Sequence, residues 1–287
     1  MTERARQPTS EAEAFFDAEA AAYDASYPAP TAEGHALRSR NAAVRRLLGP
    51  GPGAVLDAGM GPGWLAAELG ELGWTVSGVD VSAAMIERAR RRLPAAEERM
   101  HQASIEELPF EDASFDAACA IGVLEFTADR ARALSELARV LRPHGAAVLS
   151  LPNARSPQVI WSSLVLYPLV RIIKRPLRGR GARAGPLRRP WPGSPRAFSR
   201  RLAAVGLHVE EVRHANYQVV PMPLDRLLGS GSARLARWLE ERPRVPGAVA
   251  GTQIVLRARR SGAGLGGDRQ PGGVARHLVP RGAGDEP

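Results

Sequence analysis

The sequence predicts an α/β fold built on a doubly wound parallel sheet, and three observations predict it. Short apolar runs alternate with helical stretches between residues 54 and 151, the pattern of repeated strand–helix–strand units. These runs carry little polar alternation, as strands covered on both faces do. The first of them ends in a cluster of glycines that opens a helix.

Each element has its own justification. Ser10 to Tyr23 is rich in Ala and Glu, with Ser10 as an N-cap and Glu13 three residues on, a capping-box spacing. A second helix fits His35 to Leu48, ended by Gly49-Pro50-Gly51-Pro52-Gly53. Ala54 to Asp57 is a strand, Pro62 to Leu72 a helix with Pro62 in its first turn, and Trp74 to Asp80 a strand. Ser82 caps a helix reaching Leu93. Met100 to Ala103 and Phe115 to Ile121 are strands. Arg130 to Leu141 is a helix with Leu134, Leu137, Ala138 and Leu141 on one face. Pro143-His144-Gly145 is a turn before a strand from Ala146 to Leu151. The alternation breaks over 154–193, an apolar and then basic insertion. It resumes with a helix from Pro195 to Val205 closed by Gly206, a strand within Leu207 to Val220, a helix within Leu224 to Leu239 and a strand from Thr252 to Arg259. Residues 1–9 read as a flexible start, 10–260 as one domain, and 261–287 as a disordered Gly/Pro/Arg tail.

Composition excludes several classes. The lone cysteine, Cys119, cannot form a disulfide within the chain, which removes the disulfide scaffolds. No 18-residue apolar run exists for a membrane span. The first residues lack the apolar run of a signal peptide, so the cytoplasm is the expected compartment. The six histidines show no zinc spacing and no metal site is expected. The net charge of +9 is local: residues 151–201 hold twelve Lys or Arg and no acid, and the remaining 27 basic residues face all 30 acidic ones. Lys174 is the one lysine; the arginine excess beside abundant Ala, Gly and Pro reflects a GC-rich coding bias.

The chemistry concentrates in Val55-Leu56-Asp57-Ala58-Gly59-Met60-Gly61-Pro62-Gly63-Trp64. A strand feeds a Gly-x-Gly-x-Gly turn and a helix, whose free N–H groups can hold an anion. A glycine turn alone can be no more than a tight turn. Two details speak against a dinucleotide site. Trp64 occupies the slot of the third glycine in G-x-G-x-x-G, and Asp57 would repel a pyrophosphate but suit an ammonium group. Asp80 ends the next strand, where a carboxylate can accept both hydroxyls of a ribose.

Together D-A-G-M-G-P-G, G-V-D-V-S-A-A-M, E-E-L-P-F-E-D-A-S-F-D-A, V-L-E-F and L-S-E-L-A-R-V-L-R-P-H-G resemble the class I S-adenosylmethionine-dependent methyltransferases. They are most similar to the small-molecule branch near the ubiquinone and menaquinone biosynthesis enzymes. The resemblance covers about residues 10–153 and resumes over 195–207 and 251–259. It implies a seven-stranded, mostly parallel, Rossmann-like sheet with helices on both faces, and S-adenosyl-L-methionine as cofactor. By this resemblance Gly59, Gly61 and Gly63 lie under the methionine part, and Asp57 shapes that loop and faces the amino group, directly or through water. Asp80 binds the ribose, Val81 and Met85 flank the adenine, and Ser104 and Ile105 hold the adenine edge and face. Ala120 and Ile121 offer backbone to the methionine end, and Tyr23 sits on a helix that lids the site. Two positions depart from the family. Ser104 stands where Asp is usual, and Phe126 where V-L-E-H is common, which removes a histidine.

The remaining candidates read more simply. Cys119 is a core residue, and Tyr27 and Trp64 are packing or lid residues. His35, His208 and His214 are surface histidines, and His144 lies at the end of the sheet away from ligands. No catalytic base is assigned. The insertion over 159–183 places Trp161 and Tyr167 in an apolar stretch ahead of Arg171, Lys174, Arg175, Arg178, Arg180 and Arg183. The plain reading is a flexible, solvated arginine loop; beyond it, that order fits an anionic membrane surface or a lipophilic acceptor better than nucleic acid. The expected function is cytoplasmic methyl transfer to a small acceptor; a lipophilic acceptor and peripheral membrane contact are what docking of 159–183 would add. The alternatives are an RNA methyltransferase using the basic insertion, and a cofactor-binding protein without turnover. The acceptor, the methylated atom and the oligomeric state are not legible in the chain.

Overall fold

The computed structural model describes residues 7–161, 164, 195–217, 229–242 and 251–262. In chain order these form α1 (Gln7–Ser26), α2 (Ala32–Leu48), β1 (Gly53–Ala58), α3 (Trp64–Glu71), β2 (Trp74–Asp80), α4 (Ala83–Arg92), a 3-10 turn (Pro94–Arg99), β3 (Met100–Gln102), β4 (Phe115–Ala120), α5 (Arg130–Val140), β5 (Leu141–Pro152), α6 (Pro157–Trp161), α7 (Pro195–Ala204), β6 (Leu207–Ala215), α8 (Ser230–Glu240) and β7 (Gln253–Arg260).

Seven strands make one sheet in the order β3-β2-β1-β4-β5-β7-β6. Pairs β1–β2, β1–β4, β2–β3 and β4–β5 are parallel, while β7 runs antiparallel to both β5 and β6. The expected mostly parallel, doubly wound sheet is thus present. Order reverses beside β1, and such a switch point opens a crevice at the carboxyl ends of the strands. Both faces are buried. Val55 and Cys119 belong to one apolar cluster, Leu56 and Ala118 to the other. Alternation along a strand therefore sends neighbours to opposite cores, which is why the runs read as continuously apolar.

Several boundaries differ from expectation. Helix α1 begins at Gln7 and ends at Ser26, so Ser10 lies inside it rather than capping it. The cap at the next helix is Thr31, whose hydroxyl accepts from the Gly34 N–H at 3.1 Å. Pro62 lies before α3, because Gly63 at φ 81° is in a left-handed conformation that cannot belong to the helix. Residues 143–145 are part of β5, with a register shift between its pairs Phe115–Leu141 and Ala117–Ala146, and His144 at φ 64°. Helix α8 starts after Gly229 at φ 50°; residues 224–228 of the expected helical stretch lie outside the described residues. The capped start of α4 is as expected: Ser82 Oγ accepts from Met85 N at 3.1 Å. The predicted tail from 261 lies outside the described residues except for Ser261 and Gly262, and Ser261 N donates to Gly206 O at 2.9 Å. The insertion lies outside them beyond Trp161, Leu164 and the start of α7.

Candidate cofactor and acceptor site

The carboxyl ends of β1, β2 and β4 open into a cavity of about 300 Å³, walled by α1 and α2 on the other side. Gly59 and Gly61 line it, both at positive φ (80° and 53°). A Cβ on Gly59 would meet Val123 at 2.8 Å, so glycine is needed there for close approach of the β4 loop. At Gly61 a Cβ would meet only Tyr23, at 3.7 Å. The space over Gly61 is thus open to a ligand, and strain from φ adds to any substitution.

Asp80 organises this turn. Its Oδ2 accepts from Gly61 N at 2.8 Å and its Oδ1 from Ser82 N at 2.9 Å. Burial raises its pKa to about 6, against the lowering by the Ser82 and Gly61 amides, with Asp17 adding to the rise. Asp57 lies 2 % exposed at the end of β1, and Oδ2 has no partner. Burial, and then the Asp80 charge, raise its pKa to about 7. Two acids that titrate this near neutrality, one with an unused oxygen, fit a cationic ligand that lets both ionise.

Of the expected residues, Tyr23, Gly59, Gly61, Asp80, Val81, Met85, Ser104, Ile105 and Ile121 all line the cavity. Asp57, Gly63 and Ala120 do not line it. Ala120 is fully buried within β4, in the core. Gly63 packs α3 against α4: a Cβ there would sit 3.0 Å from that of Ala89. This is a contact between helices, not the helix–strand packing that a dinucleotide fingerprint gives its third glycine. Ser104 Oγ accepts from Glu106 N at 3.2 Å. Phe126 packs edge-on to Phe16 of α1, ring centres 5.2 Å apart, so an aromatic contact stands where the family often has histidine.

Helix α1 is fastened across the mouth. Asp24 accepts from Trp64 Nε1 at 2.8 Å and pairs with Arg88 (3.1 Å) and Arg92 (2.8 Å). Burial alone would raise its pKa, but the bonds from Trp64 and Arg92 outweigh that and lower it. Tyr27 stacks on Trp64 at 5.5 Å, and Arg92 lies over the same indole at 4.0 Å. At the other end of the contact, Asp17 accepts from Ser82 Oγ at 2.6 Å and Ala84 N at 3.2 Å. The expected packing role of Tyr27 and Trp64 is a clamp between α1 and the glycine turn.

Some expectations are corrected. His35 is no surface residue: it is 5 % exposed, with Nε2 3.6 Å from Glu240 Oε2. The sequence also leaves the second half of the cavity unread. Arg40 of α2 lines it, with its guanidinium against Gly122, where a Cβ would fall 2.8 Å from Nη1. Burial opposes its charge, but Tyr23, Tyr27 and Glu125 outweigh that and raise its pKa. Glu33, Glu125, Asn216 and Gln253 complete this wall. Arg40 had a weak signal, since it follows Leu37 at helical spacing. Asn216 and Gln253 had none, because only the β6–β7 pairing brings them here. Cys119 is buried in the core as expected, its thiol pushed up by burial and by Asp57. No cluster of three metal-ligating side chains exists among the described residues, and no described helix is long and apolar enough to cross a membrane.

The methyltransferase domain family matches residues 56–149, the β1–β5 segment that builds this cavity. That match covers about a third of the chain. A 37.1 kDa uncharacterised protein in transposon TN4556 of Streptomyces fradiae is 40% identical over 156 residues, 50% of this chain and 42% of its own length. A malonyl-[acyl-carrier protein] O-methyltransferase of Erwinia billingiae is 38% identical over 102 residues, 36% of this chain and 40% of its own. The chain thus spans about two fifths of the length of these curated relatives. Among solved structures, a SAM-dependent methyltransferase of Thermotoga maritima superposes with a TM-score of 0.57 at 22% identity, covering 86% of this chain and 99% of that one. That likeness concerns the methyltransferase fold. Family and fold together support S-adenosylmethionine as the cofactor.

Proposed function

We propose that this chain transfers a methyl group from S-adenosylmethionine to a small acceptor in the cavity beneath α1 and α2. The observation that carries the reading is the pair Asp57 and Asp80 around the open Gly59–Gly61 turn. The pair fits the cofactor: an open glycine cradle, an anchored carboxylate for a ribose, and behind the cradle a second buried carboxylate whose charge favours a cationic ligand. Arg40 supplies a cation on the opposite wall, suited to the methionine carboxylate. The cofactor supplies a sulfonium methyl already reactive toward nucleophiles. The chain's own residues then bind, orient and exclude water. Asp80 holds the turn in shape through Gly61 N. Phe16 and Phe126 close the apolar side. Positioning of this kind contributes about 7–11 kcal/mol in well-oriented systems, so no general base need be invoked.

A lipophilic acceptor gathered at a membrane surface is the finer reading. It is supported by Ile160, Trp161 and Leu164, which are 43 %, 45 % and 72 % exposed at the entry to the basic insertion. Peripheral attachment would bring a soluble domain to such an acceptor. Labelled methyl transfer from S-adenosylmethionine, with products partitioned between water and organic solvent, tests both levels. Label in the organic phase supports the lipophilic reading. Label only in water rejects it, and no label in either phase rejects methyl transfer.

A further inference from the structure

We propose that Asn216 selects the methyl acceptor: its Oδ1 accepts a hydrogen bond from a hydroxyl or amine N–H of the small molecule to be methylated. This rests on the methyl-transfer reading above. Asn216 follows β6 with φ 56°, a left-handed conformation that Asn adopts more readily than most residues with a Cβ. It is 6 % exposed and lines the cavity. Its N–H donates to Ser39 Oγ at 2.8 Å. Its carbonyl accepts from Thr252 N at 2.9 Å and from the Thr252 hydroxyl at 3.0 Å.

These bonds settle which way the side-chain amide points. A hydroxyl has one proton, and that of Thr252 goes to the Asn216 carbonyl. Only lone pairs remain for the Asn216 side chain 2.6 Å away, so Nδ2 must face Thr252 as donor. Oδ1 is then fixed on the other side of the amide, and it has no partner among the described residues. A buried carbonyl oxygen left without a donor is costly. The mounting is also rigid. Ser39 donates to Glu240 Oε1 at 2.6 Å, and the same oxygen accepts from Tyr217 N at 3.1 Å, which ties Asn216 to α2 and α8 at once.

The surrounding wall asks for the same chemistry. Gln253 pairs with Ala215 across β6–β7 and lines the cavity beside Asn216. Glu33 and Glu125 add carboxylates, while Arg40 is the one cation lining the cavity among the described residues. A wall richer in hydrogen-bond acceptors than donors favours a ligand that brings donors. It discriminates strongly against an analogue in which that donor is blocked, because the buried oxygen is then unpaired.

The test compares wild type with Asn216→Gly, which removes the amide and suits φ 56°, and with Asn216→Asp, which keeps an oxygen at Oδ1. Labelled methyl transfer is measured against increasing amounts of the ultrafiltered small-molecule fraction of a cell extract. S-adenosylhomocysteine binding is titrated on each protein. All three should bind S-adenosylhomocysteine alike. The Gly variant should need about tenfold more extract for a given rate, the cost of one lost hydrogen bond, and the Asp variant, in which the Thr252 hydroxyl must turn its proton from the Asn216 carbonyl to the new carboxylate, should recover part of it. Wild-type labelling by the Gly variant at every extract concentration overturns the proposal. So does a lowered maximal rate with an unchanged extract dependence, which is what loosened structure alone would produce. Wild type that binds S-adenosylhomocysteine but labels nothing overturns the methyl-transfer reading itself.

Discussion

At the scale of single residues, the two buried acids set the behaviour of the site. Asp57 and Asp80 titrate near 7 and 6 in the folded chain, against 3.8 for an ordinary aspartate. Between about pH 4 and 7 the folded protein therefore holds protons that the unfolded chain has released. Stability contributed by these groups is full below the unfolded pKa and falls as pH rises through that window. Asp57→Asn should accordingly gain on wild type as pH rises: melting temperatures at about pH 5 and pH 8 should show the variant relatively more stable at the higher value. An equal difference at both would mean that Asp57 ionises normally. Cofactor affinity should move the other way with pH, rising as both acids ionise. Asp80→Ala should weaken S-adenosylhomocysteine by about 1.5–3 kcal/mol, the range for hydrogen bonds to a charged group. Calorimetry reads this directly, and unchanged affinity would remove Asp80 from the ribose site. Arg40→Ala should weaken S-adenosylhomocysteine more than decarboxylated S-adenosylhomocysteine, since only the former carries the carboxylate that Arg40 would face.

At the scale of elements, α1 is the part whose attachment decides access. It has few apolar anchors of its own; Ala12 and Ala20 are buried, and Phe16 is only partly so. What fixes it is polar and aromatic: Asp24 with Trp64, Arg88 and Arg92, and Asp17 at the start of α4. Asp24→Ala leaves three donors without their acceptor and should cost about 1–3 kcal/mol. Because α1 covers the cavity, the same change should raise the dissociation rate of S-adenosylhomocysteine. Stopped-flow release with no change would mean that the helix does not hold the ligand in. The helical character of α1 was legible from its Ala and Glu content. Its ends were not, because a capping-box spacing at Ser10 and Glu13 also occurs inside a longer helix. Strands β1, β2 and β4 were legible as continuous apolar runs, since both of their faces are covered. The inclusion of residues 142–145 in β5 was not, because Pro143-His144-Gly145 carries the signature of a turn; these residues fall in the register shift between the Leu141 and Ala146 pairs, with His144 at φ 64°.

At the scale of the molecule, the cofactor half of the cavity was legible and the acceptor half was not. The first is built within residues 57–126 from a glycine turn and strand ends whose spacing is local. The second joins Glu33 and Arg40 of α2 to Asn216 and Gln253, partners some 180 residues or more apart that meet only through the β6–β7 edge of the sheet. The proposed membrane contact through 159–183 belongs to the same scale. Flotation should carry wild type with anionic vesicles alone, less at high salt, and a Gly/Ser replacement of 159–183 should abolish it; arginines near such a surface contribute about 1 kcal/mol each. Wild type that stays at the bottom of the gradient with every vesicle would reject the membrane reading. The central claim, a cofactor site of the methyltransferase kind rather than a dinucleotide site, is tested most directly by calorimetric titration of the wild-type chain with S-adenosylhomocysteine and, separately, NAD. The structure predicts single-site binding of S-adenosylhomocysteine and none of NAD. Binding of NAD, or no binding of S-adenosylhomocysteine, would contradict it.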